Sequence, residues 1–283
     1  MSTVSNLISK AIPRSWRYLK YLLLAKSKHR IHSPFVFDLL INTIENDGEY
    51  YAFENLERLR NRLLNNNDSI KITDFGAGSR VGITNPDHPR SSGFAIPTYQ
   101  RKISDIAHNS LQSPKYAKLL FRLVDRFQPK QMLELGTSLG LTTLYQAAPV
   151  PQSKFITLEG CPVTAAIAQD HFNKFKQDNI KIISGNFDET LAEALKSLPN
   201  LDYVLFDGNH RYEPTMRYFN QCLMNAHEGS VFIFDDIHWS KEMEQAWEEI
   251  KKHPKVTITI DLFRIGIVFF HTGQVKQHFR IRF

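Results

Sequence analysis

Cysteine is scarce in this sequence, and long apolar runs are absent. Only Cys161 and Cys222 occur among 283 residues, which allows at most one disulfide and excludes a disulfide framework or a cysteine-rich zinc site. The longest early apolar run, residues 21–25, is too short to span a bilayer or to form the apolar core of a signal peptide. Charged residues make up an ordinary 23% of the chain. These features predict a soluble, globular, cytoplasmic protein.

Acidic residues are almost missing from the first forty positions, where Asp38 is the single carboxylate. The basic residues of this segment are Lys10, Arg14, Arg17, Lys20, Lys26, Lys28 and Arg30. Their surplus gives the segment a charge of +6, which equals the net charge of the whole chain. A solvated helix face is the favoured interpretation of such a segment, and contact with an anionic membrane surface, a nucleic acid or an acidic partner is the alternative. We favour the membrane or anionic partner over nucleic acid, and a homodimer stays open.

From residue 131 onward, short apolar runs alternate with stretches of helical spacing. The runs QMLELG, KFITLEG, IKIISG, LDYVLFDG and SVFIFDD are typical of buried strands. The predicted helices between and after them cover 141–148, 163–175, 189–198, 214–224 and 242–252. This alternation predicts βαβ units and a parallel sheet. The closing runs VTITIDLF and IGIVFFHT are separated only by a short turn near Arg264, so they are expected to pair antiparallel.

The upstream part of the chain is mainly helical in pattern. Residues 114–127 have an apolar face at helical spacing, and Pro129 prevents the helix from continuing. Further helices are predicted at 15–25, 34–44 and 51–64, followed by a polar, proline-rich loop at 85–99. We therefore divide the chain into a mainly helical N-terminal extension, residues 1–110, and an α/β domain, residues 111–283.

The segment LELGTSLG, residues 133–140, predicts a strand that turns sharply into a helix. Gly136 and Gly140 permit a tight turn and a close approach to a ligand. The next strand ends at Glu159, where a carboxylate can accept hydrogen bonds from ribose hydroxyls, although a strand-end acid without a ligand is the alternative. Glu134 precedes the first glycine and is poorly suited to face phosphates. It suits an ammonium group, such as that of the methionine part of S-adenosylmethionine.

Carboxylates follow two further predicted strands, Asp207 in LFDGNH and Asp235 with Asp236 in IFDDIH. The carboxyl ends of strands in an open α/β sheet border the ligand crevice. Three carboxylates meeting there repel one another unless a cation joins them or one keeps its proton. Oxygen ligands of this kind suit Mg²⁺ or Mn²⁺. The alternative is that Asp207 and Asp235 bind the cofactor or the substrate without a metal.

Two histidines stand near these acids. His210 follows Asp207 by three residues, and its imidazole suits the removal of a proton from a hydroxyl near neutral pH. His238, after Asp236, is the weaker candidate. For both, a hydrogen-bonded structural histidine is the alternative.

A second glycine-rich segment, DFGAGSR at 74–80, follows a predicted strand at 70–73. No second strand with a terminal acid comes after it, so the context of a nucleotide-binding unit is missing. We interpret it as a loop over the substrate in which Arg80 can meet an anionic group, or as a structural turn. The segment HSPF at 32–35 predicts a helix start, with Ser33 as N-cap and Pro34 at the first helical position, and a lid element is its alternative.

Taken together, residues 114–272 resemble class I methyltransferases, and more closely the catechol O-methyltransferase-like family. The matching segments occur in the family order and are LELGTSLGLTTL, FITLEG, GNFDETL, VLFDGNHRYE and FIFDDIHWS. The whole chain is similar to a bacterial group of such enzymes. The resemblance implies an α/β, Rossmann-like, mostly parallel sheet of seven strands with the last strand antiparallel. It implies that residues 111–283 form a class I methyltransferase domain.

The resemblance also implies a cofactor site for S-adenosylmethionine and a small-molecule acceptor. The cofactor-binding residues it indicates are Glu134, Gly136, Thr137, Ser138 and Gly140 around methionine and ribose, Glu159 on the ribose, Asn186 and Phe187 near the adenine, and Asp207. In the family two aspartates and an asparagine hold Mg²⁺. Asp207 and Asp235 match the aspartates, whereas Asp236 replaces the asparagine, and His210 replaces a lysine base.

The predicted function is therefore S-adenosylmethionine-dependent O-methylation of a small molecule, with Asp207 and His210 as the catalytic residues. The alternative is a protein that binds S-adenosylmethionine or a nucleotide without methyl transfer and docks through its basic N-terminus. An NAD-dependent dehydrogenase is a third hypothesis, which the absence of a GxGxxG turn disfavours.

Overall fold

The computed structural model describes residues 14–73 and 98–283. Its N-terminal part contains the following elements, given in chain order: helices α1 (Arg14–Leu24), α2 (Pro34–Leu39) and α3 (Tyr51–Leu64), strands β1 (Ser69–Thr73) and β2 (Thr98–Lys102), and helix α4 (Ile103–Ser110). The predicted helix 34–44 changes to a π-helix at Leu40–Ile44. Strands β1 and β2 pair antiparallel.

Two predictions in this part concern segments that lie wholly or mostly outside the described residues. The segment DFGAGSR with Arg80 lies outside the described residues, as does most of the predicted loop 85–99. Thr98 and Tyr99 of that loop belong to β2 instead, because they pair with β1 at Thr73 and Ile72.

The remainder of the chain alternates strands and helices as predicted. The elements are α5 (Pro114–Phe127), β3 (Gln131–Leu135), α6 (Leu141–Ala147), β4 (Lys154–Glu159), α7 (Pro162–Lys174), β5 (Ile180–Ser184), α8 (Phe187–Ser197), β6 (Leu201–Phe206), α9 (Tyr212–Cys222), β7 (Ala226–Phe234), α10 (Lys241–Lys252), β8 (Ile258–Asp261), β9 (Gly266–Phe269) and β10 (Gln277–Arg280). Proline at the start of α5 and α7 suits a position whose N–H lacks an intrahelical partner.

Local capping explains where several helices begin. The side chain of Ser33 accepts a hydrogen bond from the Val36 N–H at 3.4 Å, and Pro34 follows at the first helical position. This confirms the helix start predicted from HSPF. Ser240 caps α10 in the same way, accepting from the Met243 N–H at 3.1 Å.

The main sheet has eight strands in the order β10-β8-β9-β7-β6-β3-β4-β5. The pairings make β9 the only one of these eight that runs against the others, so the predicted mostly parallel sheet and its antiparallel closing hairpin are confirmed. The predicted number of strands was one too low. The additional strand is β10, which pairs in parallel with the free edge of β8. Its sequence is short and polar, with Phe279 as its one buried residue, so it lacks the apolar pattern that predicts a strand.

The chain turns in opposite directions from β3, towards β4 and β5 on one side and towards β6 and β7 on the other. The carboxyl ends of β3 and β6 therefore border the crevice in which open α/β sheets bind ligands. The two faces of the sheet are covered by separate hydrophobic clusters, one with α5, α6 and α7 and one with α8, α9 and α10. Buried side chains of α2, α3 and α4 belong to the first cluster, so the N-terminal extension shares a core with the α/β domain.

Candidate active site

The turn between β3 and α6 depends on Gly136. Its backbone φ is +112°, and a Cβ on this residue would lie 2.2 Å from the carbonyl oxygen of Asp207. Any side chain here would push the turn away from the end of β6. The N–H groups of Gly136 and Thr137 donate to the carbonyl oxygen of Leu158 at 3.0 and 3.1 Å. The turn is thus fastened between the ends of β6 and β4.

Gly140 allows the start of α6 to pack closely on α7. Its φ is +79°, and a Cβ would lie 2.9 Å from the Cβ of Ala168 on α7. The start of α6 can approach α7 only because this side chain is missing.

Glu159 ends β4 and faces the same turn. Its Oε2 accepts the Ser138 N–H at 2.7 Å, and its Oε1 accepts the Cys161 N–H at 2.9 Å. Burial raises the pKa of Glu159 above its usual range, although these backbone N–H groups act in the opposite direction. The carboxylate is held in one orientation, and each oxygen retains a lone pair for a hydroxyl donor.

Glu134 lies beneath the turn and is fully buried. Its carboxyl group accepts hydrogen bonds from Thr143 Oγ1 at 2.5 Å, Thr157 Oγ1 at 2.7 Å and Gln146 Nε2 at 2.6 Å. Burial raises its pKa to about 7, and the three hydrogen bonds offset part of that effect. The structure therefore gives Glu134 partners within the chain that tie β3 to α6 and β4.

Asn186 and Phe187 lie at the start of α8. The Asn186 side chain accepts the Asp188 N–H at 3.1 Å and so caps the helix. The ring of Phe187 lies against Gly208, since a Cβ there would be 2.7 Å from its Cε2. This aromatic ring is consequently at the carboxyl edge of the sheet, beside the residue that follows Asp207.

Asp207 follows the end of β6 and meets a buried amide. Its Oδ2 accepts from Gln112 Nε2 at 3.2 Å. Burial and the neighbouring carboxylate of Asp235 raise the pKa of Asp207 well above its usual range. Oε1 of Gln112 and Oδ2 of Asp235 are buried without a hydrogen-bond partner in the described part of the chain. These unpaired oxygens can accept hydrogen bonds from a polar ligand group.

Arg264, in the turn between β8 and β9, supplies the positive charge among these acids. Its Nε lies 3.3 Å from Asp235 Oδ1 and 3.8 Å from Asp236 Oδ1. Burial opposes the charged guanidinium, but Asp235, Asp236 and Asp207 outweigh it and hold the pKa of Arg264 above its ordinary value.

The predicted metal site does not fit this arrangement. Across residues 14–73 and 98–283, no three histidine, cysteine or acidic side chains are grouped as ligands of a metal ion. Asp235 and Asp236 instead face Arg264, whose guanidinium offers donors and no lone pair for a metal.

The two histidines have different surroundings. His210 Nε2 lies 3.8 Å from Asp207 Oδ1, too far for a direct hydrogen bond, and the side chain is partly exposed. His238 instead lies between two carboxyl groups, with Nδ1 at 3.1 Å from Glu244 and Nε2 at 3.1 Å from Asp261. These contacts link α10 to β8, so His238 has the role of a structural histidine.

Sequence reasoning missed Gln112 and, as a charge partner, Arg264. Arg60 of α3 donates through Nη1 to the backbone oxygen of Gln112 at 2.6 Å, so the N-terminal extension helps to hold the amide that faces Asp207. No motif marks Gln112. Arg264 had a usable signal, because a turn after β8 lies at the same sheet edge as the ends of β6 and β7.

Comparison with known proteins agrees with this fold. Residues 133–237 match the methyltransferase domain family. A catechol O-methyltransferase of Niastella koreensis is 28% identical over 128 residues, which cover 44% of this chain and 57% of the relative. A transmembrane O-methyltransferase homolog of Mus musculus is 30% identical over 129 residues, covering 44% of this chain and 50% of the relative. The similarity thus spans about half the length of these relatives.

A solved O-methyltransferase from Bacillus cereus, in complex with SAH, has the same fold. It superposes with a TM-score of 0.53 at 16% identity, covering 83% of this chain and 95% of that one. In the described ranges, no helix combines the length and the apolar character needed to cross a membrane. Residues 133–237 thus match a methyltransferase domain, the chain is similar in sequence to catechol O-methyltransferases, and its fold is that of the solved O-methyltransferase.

Proposed function

We propose that this protein transfers a methyl group from S-adenosylmethionine to a hydroxyl oxygen of a small molecule. The observation that supports it most is the meeting of three groups at the point where the strand order reverses: the glycine turn at Gly136, the carboxylate of Glu159 and the carboxyl group of Asp207. A nucleoside with a charged side group needs a ribose acceptor, a close backbone approach and a polar wall, and this crevice offers all three.

The chain's own residues divide the work of cofactor binding. S-adenosylmethionine, when bound, supplies an electrophilic methyl group on a positively charged sulfur. Glu159 accepts the ribose hydroxyls, and Phe187 packs on the adenine beside Asn186. The turn from Gly136 through Thr137 and Ser138 to Gly140 follows the methionine part. Glu134 acts mainly by positioning this turn, because its hydrogen bonds hold the turn to β4 and α6.

Catalysis consists largely of alignment. Asp207 and the unpaired oxygen of Gln112 orient the acceptor hydroxyl. As the acceptor oxygen bonds to the methyl carbon and the carbon–sulfur bond breaks, the hydroxyl proton passes to the imidazole of His210. The sulfur keeps the electron pair of the broken bond.

Arg264 takes over the charge compensation that Mg²⁺ supplies in the family that the sequence resembles. No step of this mechanism uses a metal, because the acidic side chains Asp235 and Asp236 are directed to a guanidinium. If a chelator abolished turnover and Mg²⁺ restored it, the reaction would require a metal and the metal-free mechanism would be wrong.

The function is tested by incubating the full chain with methyl-labelled S-adenosylmethionine and a panel of catechols, phenols and aliphatic alcohols, with products identified by mass spectrometry. We expect a methylated product whose yield a chelator does not change and His210→Gln strongly reduces. Tight cofactor binding without any product would favour the binding protein that lacks methyl transfer. Stronger binding of NAD than of S-adenosylhomocysteine would favour a dehydrogenase.

We further propose that the protein works in the cytoplasm. Cys161 and Cys222 are both free and buried, as suits a reducing compartment. A homodimer stays a prediction, which analytical ultracentrifugation of the full chain tests.

A further inference from the structure

Helix α1 has a clearly defined inner side. Tyr21 is buried, and its hydroxyl donates to the carbonyl oxygen of Ile281. Arg17 points the same way, donating to the carbonyl oxygen of Trp239 at 3.0 Å and pairing with Glu244 at 3.4 Å. Among the described residues, these contacts fasten α1 to the body of the protein through one face.

The opposite face of α1 is apolar, although it faces solvent. Trp16, Leu19 and Leu23 are 58%, 47% and 78% exposed. Their spacing of three and four residues places them on one stripe of the helix. A helix on the surface of a globular domain normally reverses this pattern, with its apolar stripe towards the core. A continuous exposed apolar stripe indicates a surface that is covered in use.

Positive charge lies on α1 and directly after it in the sequence. No acidic residue occurs between residues 14 and 37, whereas Lys20 lies on α1 and Lys26, Lys28 and Arg30 follow it. Lys28 has a loose contact with Glu45 at 3.8 Å. Lys20, Lys26 and Arg30, all exposed, form no ion pair with another described residue. An apolar stripe with cations beside it is complementary to an anionic lipid surface.

We propose that α1 docks on an anionic membrane surface, with Trp16, Leu19 and Leu23 inserted at the boundary between headgroups and acyl chains. The neighbouring lysines and Arg30 contact lipid phosphates. With 11 residues the helix is about 16 Å long, so it lies in the interface and does not cross it. A second copy of the chain fits this face less well, because a symmetric contact would bring two sets of like charges together.

The docked helix lies at the same side of the protein as the candidate site. Tyr18 contacts the ring of Phe263 with centroids 4.8 Å apart, and Phe263 precedes Arg264. Arg17 also donates to the carbonyl oxygen of His238, two residues after Asp236. Membrane binding and methyl transfer are nevertheless separate claims, and the failure of one leaves the other in place.

The proposal is tested by vesicle flotation with the full chain. The vesicles contain phosphatidylcholine alone or phosphatidylcholine with phosphatidylserine. We expect binding only to the phosphatidylserine vesicles, weakened by salt. Leu23→Glu should weaken it at least about tenfold, because it places a charge in the apolar stripe. Val275→Glu is the matched control, since Val275 is 82% exposed and lies far along the chain from α1. Its binding should equal that of the wild type.

Three results would overturn the proposal. The first is the absence of wild-type binding to phosphatidylserine vesicles. The second is an equal loss with Val275→Glu, which would show a general charge effect. The third is a wild-type dimer that Leu23→Glu converts to monomers without any vesicle binding, which would assign the face to a second copy. Thermal unfolding of each variant verifies that the fold is intact, as expected for substitutions at exposed positions.

Discussion

Nε of Arg264 lies 3.3 Å from Oδ1 of Asp235, across the carboxyl edge of the sheet. The Asp235 side chain is almost fully buried, and its Oδ2 has no hydrogen-bond partner among the described residues. The guanidinium is therefore the main compensation for a carboxylate that has left water. It joins the β8–β9 turn to the end of β7. Its charge also acts directly on Asp207, where it lowers the pKa against the larger opposing effects of burial and Asp235.

Removing the Arg264 charge is expected to destabilise the fold strongly. Arg264→Gln leaves Asp235 buried and uncompensated, which costs about 3–5 kcal/mol in the free energy of unfolding. The control is Arg217→Gln, because Arg217 forms a shorter but exposed pair with Asp188 at 2.7 Å. An exposed pair of this kind contributes about 0–1 kcal/mol. Urea unfolding compares the two, and equal losses would contradict the role assigned to Arg264.

The buried Glu134 predicts a specific pH dependence of stability. Because burial raises its pKa from 4.5 to about 7, the native state holds a proton that the unfolded chain releases at lower pH. Between these values the native state binds more protons, so the free energy of unfolding falls as the pH rises. The loss attributable to Glu134 is about 2–3 kcal/mol between about pH 5 and about pH 8.

Glu134→Gln should lack that part of the loss, since the amide does not titrate. Urea unfolding of wild type and variant at the two pH values measures the difference. Glu193→Gln, on the exposed side of α8, should follow the wild type. Parallel decreases in wild type and Glu134→Gln would show that Glu134 is not protonated in the native state.

Gln112 is expected to act on turnover through its hydrogen bond to Asp207 and through the side-chain oxygen that orients the acceptor hydroxyl. Gln112→Ala removes the amide that donates to Asp207 at 3.2 Å, and the loss of a hydrogen bond of this kind corresponds to about a tenfold lower kcat. The KM for S-adenosylmethionine should stay close to the wild-type value, because Gln112 has no part in the cofactor turn. Steady-state kinetics separate the two parameters. An unchanged kcat, or a loss confined to KM, would rule out this positioning role.

The two histidines should give different phenotypes. His210→Gln removes the proposed proton acceptor and should lower kcat about 100-fold or more, with little change in thermal stability. His238→Gln should instead lower the unfolding temperature, because it weakens the links to Asp261 and Glu244. Activity assays and thermal unfolding of both variants are the measurement. A His210→Gln enzyme with wild-type kcat would leave the proton acceptor unassigned.

Much of the fold follows from the sequence because its signals are local. The predicted helix 114–127 coincides with α5, since a leading proline and a sustained apolar stripe set both of its ends. The antiparallel hairpin was predictable because its short turn leaves no room for a crossover helix. Strand β10 was not, because its pairing with β8 depends on a free edge that exists only in the folded sheet.

The site was predictable only where a motif carries the residue. Gly136, Glu159 and Asp207 stand at strand ends, so the spacing of the apolar runs brings them to one edge. Gln112 lies 95 residues from Asp207, and such a contact leaves no local pattern. Glu134 is buried among Thr143, Thr157 and Gln146. The sequence does not reveal these partners, because they meet only when α6 packs on β4.

The most direct test of the account is isothermal titration of the full chain with S-adenosylhomocysteine, for the wild type and for Glu159→Gln, with Glu193→Gln as the control. We expect one binding site in the wild type and in the control. The affinity of Glu159→Gln should be at least about tenfold weaker, because a carboxylate that accepts from ribose hydroxyls becomes a neutral amide. No binding by the wild type, or equal affinity in Glu159→Gln, would contradict the proposed cofactor site.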